Sequence, residues 1–168
     1  HHRRPRSRVP PIGDLSAGSD CMEIVSSIVK LAHSLRMTTT AEGVETIEQL
    51  FDAMRSGDST AVRAVFHPEA RMFSAVVRNG APELQAGSID EFVRAVGTPH
   101  AEVWDERIDD LEIEVDDPLA TAWMDYRFHL GETFSHCGVN AFQFLRTAEG
   151  WQVIQITDTR RRECPPGQ

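Results

Sequence analysis

An α+β domain, with helices first and long antiparallel strands after, is what this sequence predicts, and three observations predict it. Apolar residues recur at three- and four-residue spacing in several stretches between Cys21 and Val96, the mark of amphipathic helices. From Ile108 onward the period changes to two, the mark of strands with one buried face. Turn chemistry separates the alternating stretches at Asp116-Asp117-Pro118, Leu130-Gly131-Glu132 and Ala148-Glu149-Gly150.

The elements follow in order. Residues 1–19 combine paired histidines, four arginines, three prolines and two glycines, which cannot form a packed element and read as a disordered leader. From Cys21 to Leu35, Ile24, Val25, Ile28, Leu31 and Leu35 give a helix one apolar face. Met37 to Ala41 reads as a short strand. A second helix starts near Val44, carries Ile47, Leu50, Phe51 and Met54 on one face, and stops at Ser56-Gly57. Asp58 is placed to cap a third, which turns Val62, Val65 and Phe66 inward and ends before Pro68, because a residue preceding proline is driven out of the helical region. A strand is expected over Ala70–Arg78. Ser88 and Glu91 have capping-box spacing ahead of a helix that buries Ile89, Phe92, Val93 and Val96. Four antiparallel strands then carry Ile108 to Val115, Ala122 to Phe128, Val139 to Leu145 and Trp151 to Thr159.

Composition limits what such a domain does. A chain of 168 residues, 40% hydrophobic, can bury the core of one domain with an appendage. The formal net charge of −9 argues against a nucleic-acid partner, because tracking phosphates needs a basic face. Arginines gather near the ends, at 3–8 and at 160–162, as short solvated runs. The three cysteines are far apart and include no C-x-x-C pair, so neither a disulfide framework nor a zinc site is expected, and a reducing, cytoplasmic location fits. No apolar run is long enough to span a membrane. No metal and no cofactor is implied; the acids between Asp105 and Asp117 alternate with apolar residues and read as a solvated strand face.

Two resemblances sharpen this reading. "LFDAMRSGDSTAVRAVFHPEARMFS" (Leu50 to Ser74) and "HCGVNAFQFLRTAEGWQVIQITDTRR" (His136 to Arg161) resemble the opening and closing segments of the nuclear transport factor 2-like, or SnoaL-like, superfamily. That resemblance implies a cone over residues 46–163, in which a curved sheet wraps three helices around a small apolar pocket, with 164–168 as a tail. The stretch "IGDLSAGSDCMEIVSSIVKLAHSLRMTTTAEGVETIEQL" (Ile12 to Leu50) instead resembles the last part of an EAL cyclic-di-GMP phosphodiesterase domain, whose Ala-Glu-Gly-Val-Glu-Thr motif stands at Ala41 to Thr46. It implies that residues 20–45 are a remnant, a helix plus a short strand fused to the cone. The rest of that family's active site would lie upstream of Ile12, and 11 residues cannot hold most of a barrel, so phosphodiesterase activity is not expected.

The cone resemblance also proposes a site. The catalytic tyrosine of ketosteroid isomerases falls on Leu50 and their proton-abstracting aspartate on Ser74, neither of which can do that chemistry. Their hydrogen-bond donor in the closing hairpin falls on Asn140, an amide that donates without any shift of pKa. If Asn140 faces the cavity, strand alternation brings His136 and Phe142 to the same side. His136 is then the candidate acid or base, with Asp158 as its dyad partner; a structural histidine and an ion-paired strand end are the bland alternatives. Tyr126, the chain's only tyrosine, either points its hydroxyl into the cavity or is a core tyrosine. Gln155 and Thr157 complete the candidates on the last strand. The resulting expectation is a binding domain for an unknown small apolar molecule, homodimeric as its relatives are. The alternatives are a cofactor-independent isomerase, cyclase or dehydratase using His136 and Asn140, or a protein-interaction module.

Overall fold

The structure, a computed structural model, describes residues 17–166. Two units divide the chain, residues 1–35 and 36–168. Most of the leader expected over residues 1–19 lies outside the described residues, and helix α1 (Ala17–Ser56) already includes residues 17–19. In the first unit the α1 residues Met22, Ile24, Val25, Ile28 and Leu31 are exposed.

The second unit confirms the α+β expectation. After α1 come α2 (Ser59–Val65), β1 (Phe66–Arg78), β2 (Ala81–Gly87), α3 (Ile89–Gly97), β3 (Trp104–Asp116), β4 (Leu119–Leu130), β5 (Thr133–Thr147) and β6 (Gly150–Thr159). The six strands form one curved sheet in the order β2-β1-β6-β5-β4-β3. Ile47, Leu50, Phe51 and Met54 of α1 pack with Val62 and Val65 of α2 and Val96 of α3 against Met124, Phe142, Phe144 and Val153 of the sheet.

The helix boundaries have local causes. Gly57 takes φ +70°, a left-handed conformation open to glycine without steric cost. It lets Asp58 N donate to Ala53 O at 2.9 Å and Gly57 N to Met54 O at 3.2 Å, satisfying two carbonyls at the end of α1. Asp58 and Ser88 cap α2 and α3 as expected, accepting from the backbone of Ala61 at 2.9 Å and of Glu91 at 3.2 Å.

Several expectations need correction. Met37–Ala41 is not a strand but part of α1: strand propensity in Thr38, Thr39 and Thr40 is weak beside helical sequence on both sides, where each added residue extends an existing hydrogen-bond ladder. β1 begins at Phe66, the C-cap of α2, so Phe66 is buried from a strand rather than from a helix. β2 is an addition to the expected elements, although Asn79 (φ 52°) and Gly80 (φ 79°) form the two-residue turn that joins it to β1. The sheet is not wholly antiparallel, since β1 runs parallel to β6. Finally, Cys137 and Cys164 form a disulfide. Their separation of 27 residues hides the pairing from any spacing rule. The bond removes the argument from cysteine usage for a reducing compartment, since disulfides persist in oxidising ones. Among the described residues no helix is long and apolar enough to cross a membrane.

Candidate functional site

The concave face of the sheet and the helices enclose a cavity of about 300 Å³. Its apolar walls come from Leu50, Phe51 and Met54 of α1, Phe92 of α3, Trp104 of β3 and Phe142 of β5. Glu106, Tyr126, His136, Asn140, Asp158 and Arg160 supply its polar lining. Pairing explains why five of these converge: Phe128 lies between Glu106 and His136, Tyr126 between Ile108 and Gly138, and Asn140 between Met124 and Asp158.

Two hydrogen-bonded groups organise that lining. In the first, Asn140 Nδ2 donates to Glu106 Oε1 at 2.6 Å. In the second, Asp158 accepts from Ser74 Oγ, from Arg160 Nε at 2.6 Å and, more weakly, from the Tyr126 hydroxyl at 3.4 Å. The stronger bond of Tyr126 is to Thr159 O at 2.8 Å. Gly138 permits this crossing, because a Cβ there would lie 1.8 Å from Thr159 O and 2.8 Å from the Tyr126 ring.

Burial sets the protonation states. Glu106 is partly buried as a residue, but its carboxyl is withdrawn from water. Desolvation pushes its pKa from 4.5 up to about 7, aided by Asp158 and opposed by the Asn140 and Arg160 contacts. The Tyr126 hydroxyl is driven well above its ordinary value by desolvation and by the negative charges of Asp158 and Glu106, so it stays protonated. His136 is lowered, first by burial and then by Arg160, with Asp158 acting against them. At neutral pH the cavity therefore holds a neutral imidazole, a phenol and a carboxyl near its own midpoint beside the Asp158–Arg160 ion pair.

Set against the sequence, the cavity brings together Leu50, Tyr126, His136, Asn140, Phe142 and Asp158. Ser74 does not line it but bonds to Asp158 from the neighbouring strand β1. Gln155 and Thr157 do not line it either; they alternate with the lining residues Ile156 and Asp158, and their side chains bond to each other at 3.5 Å on the other face. Among the described residues no hydrogen bond joins His136 to Asp158; the His136 ring turns Nδ1 to Ser135 Oγ at 3.0 Å and packs on Phe128, with ring centroids 5.0 Å apart.

Glu106 is the residue that sequence reasoning missed. The reading of Asp105–Asp117 as a solvated face fails at Glu106, and Asp105 beside it is half-buried in ion pairs with Arg55 and Arg107. Glu106 has the parity of Ile108, and only the register shift between Asp109 and Glu112 moves the inward face to Leu111, Ile113 and Val115. The three-residue step from Ile108 to Leu111 was the available signal. No group of three or more His, Cys, Asp or Glu side chains among the described residues could hold a metal ion. Glu42 is ion-paired with Arg146 at 3.4 Å.

Comparison with known proteins agrees with this architecture. A model of the family described as "Putative lumazine-binding" matches residues 39–157, and the chain belongs to that family. An NTF2-like protein with a cystatin-like fold from Novosphingobium aromaticivorans superposes with a TM-score of 0.63 at 19% identity, over 81% of this chain and 91% of that one. A protein of unknown function from Mycobacterium tuberculosis gives 0.63 at 13% identity, over 77% and 76%. An NTF2-like family protein from Streptomyces avermitilis, described as a "putative dehydratase", gives 0.56 at 16% identity, over 75% and 98%. At these identities the likeness is one of fold, here NTF2-like and cystatin-like. No curated protein matches the sequence.

Proposed function

We propose that the domain binds a small, largely apolar molecule whose polar edge meets Asn140 and Glu106. The observation that carries this reading is the cavity itself: apolar walls around about 300 Å³, with a few polar groups converging on one side, the usual design of a small-molecule site. A ring bearing adjacent N–H and C=O groups, as in the lumazine of the family's description, matches an amide beside a carboxyl that both donates and accepts near neutral pH. Titration calorimetry with lumazine and with an uncharged cyclic ketone tests it. Saturable binding of either is expected, weakened by about 1–3 kcal/mol in Asn140→Ala through loss of a buried polar contact. Absence of binding by both, with a collapsed cavity in the crystal, refutes it.

Proton-transfer catalysis is the second reading, favoured by Glu106 and Asp158 facing one cavity in different environments. His136 and Asn140 would serve such an isomerase, cyclase or dehydratase as base and donor, since a lowered pKa keeps the imidazole free to accept a proton. On a confirmed substrate, His136→Ala should abolish turnover while binding persists; an unchanged rate removes His136 from the mechanism. The EAL-like segment we read as carrying no phosphodiesterase chemistry, its Glu42 being taken by Arg146.

A further inference from the structure

A second cleft adjoins the cavity, lined by Ser135, His136, Arg160, Arg161 and Arg162. His136 and Arg160 belong to both, so the cleft is the cavity's mouth on that side. Three consecutive arginines there contrast with a chain whose net charge is −9. Asp158 takes Arg160 Nε, while among the described residues no ion pair joins Arg161 or Arg162 to a carboxylate.

The strap that carries them is held in place. Arg161 and Cys137 exchange two backbone hydrogen bonds of 2.9 Å, and the Cys137–Cys164 disulfide ties the far end of the strap to the same residue of β5. A disordered tail would scatter its charge, whereas this one is anchored at two points beside His136.

We infer that the Arg160–Arg162 strap is an anion-binding mouth, and that the ligand is an amphiphilic acid: an apolar body in the cavity with a carboxylate, phosphate or sulfonate group at the arginines. This inference rests on the cavity reading above and deepens it. Charge sets the orientation. Asp158 and Glu106 line the interior and disfavour an anion there, while guanidinium groups outside offer planar, paired donors to its oxygens. The ligand therefore enters body first.

Two dyes with one skeleton test this: anilinonaphthalene sulfonate, which carries the anion, and phenylnaphthylamine, which lacks it. Both should bind, each displacing the other. The sulfonate should bind about tenfold more tightly at low salt, with the gap closing as ionic strength rises. In the Arg161→Gln, Arg162→Gln double variant the gap should vanish while phenylnaphthylamine affinity holds, which also reports an intact cavity. Equal affinity of the two dyes for the unaltered protein, or a preference indifferent to salt, overturns the mouth alone and leaves the cavity reading standing. That salt series needs no variant to fold. Failure of both dyes to bind overturns the cavity reading and the mouth with it.

Discussion

Replacing Glu106 by glutamine should reverse part of the protein's pH dependence of stability. Burial raises this carboxyl from 4.5 to about 7, so between those values the native state holds a proton that the unfolded chain has released. Stability must then fall as pH rises through that window, and the full cost is present above it. At about 1.4 kcal/mol for each tenfold step in proton affinity, the interval corresponds to roughly 3 kcal/mol. The residue is only partly buried, so about 2 kcal/mol is the discounted expectation. Glutamine keeps an oxygen for Asn140 Nδ2 and cannot ionise. Glu106→Gln should therefore match the unaltered protein at pH 4 and exceed it by about 2 kcal/mol at pH 8, roughly 4–8 °C in Tm for a chain of this size. His136 acts with the opposite sign: burial and Arg160 lower its pKa on folding, so it costs stability as pH falls. Comparing the two proteins at each pH cancels that contribution. Urea melts at constant ionic strength from pH 4 to 8.5 give the answer, and stability curves that run parallel would refute the buried, proton-holding Glu106.

Three further outcomes follow from the fold. Reducing the Cys137–Cys164 bond, or making Cys164→Ser, releases a loop of 27 residues and should cost about 3.5 kcal/mol by the chain-entropy relation; melting that is indifferent to reductant would argue against the bond. Gly138→Ala should be severely destabilising, by roughly 3 kcal/mol or more, because its Cβ would lie 1.8 Å from Thr159 O. Thermal unfolding followed by circular dichroism checks it, and a variant that melts with the parent would show that β6 can shift freely. We also propose a homodimer through the outer face of the sheet, where Trp123 is 55% exposed beside Ala141 of β5. Sedimentation should find a dimer that Trp123→Glu dissociates, and a monomer at every concentration would end the proposal.

How much of this the sequence disclosed depends on how local the cause is. Helix caps at Asp58 and Ser88, the stop at Gly57 and the alternation of β4, β5 and β6 are decided by neighbours in the chain, and they read correctly. The cavity-facing parity of His136, Asn140 and Phe142 also needs only one strand and its period. Misreadings begin where a longer stretch of chain or a distant partner decides. The threonines at 38–40 join a helix because helical sequence continues on both sides. The parallel pairing of β1 with β6 and the disulfide between β5 and the tail bring together residues that no local pattern connects.

Glu106 lies between these cases. Its neighbours gave the right parity with Ile108, but a run of eight acids between Asp105 and Asp117 made the solvated reading the cheaper one. What distinguishes this acid is the register shift after Asp109, where Asp110 takes φ 50°. Without that shift, alternation from Glu106 and Ile108 would carry Asp110, Glu112 and Glu114 into the core, at a desolvation cost no domain of this size could bear. The bulge turns those acids back to water and leaves Glu106 inside, with Asn140 bonded to it. A carboxyl kept there at the expense of stability, when its neighbours on the strand have been turned away, is better explained by what enters the cavity than by packing.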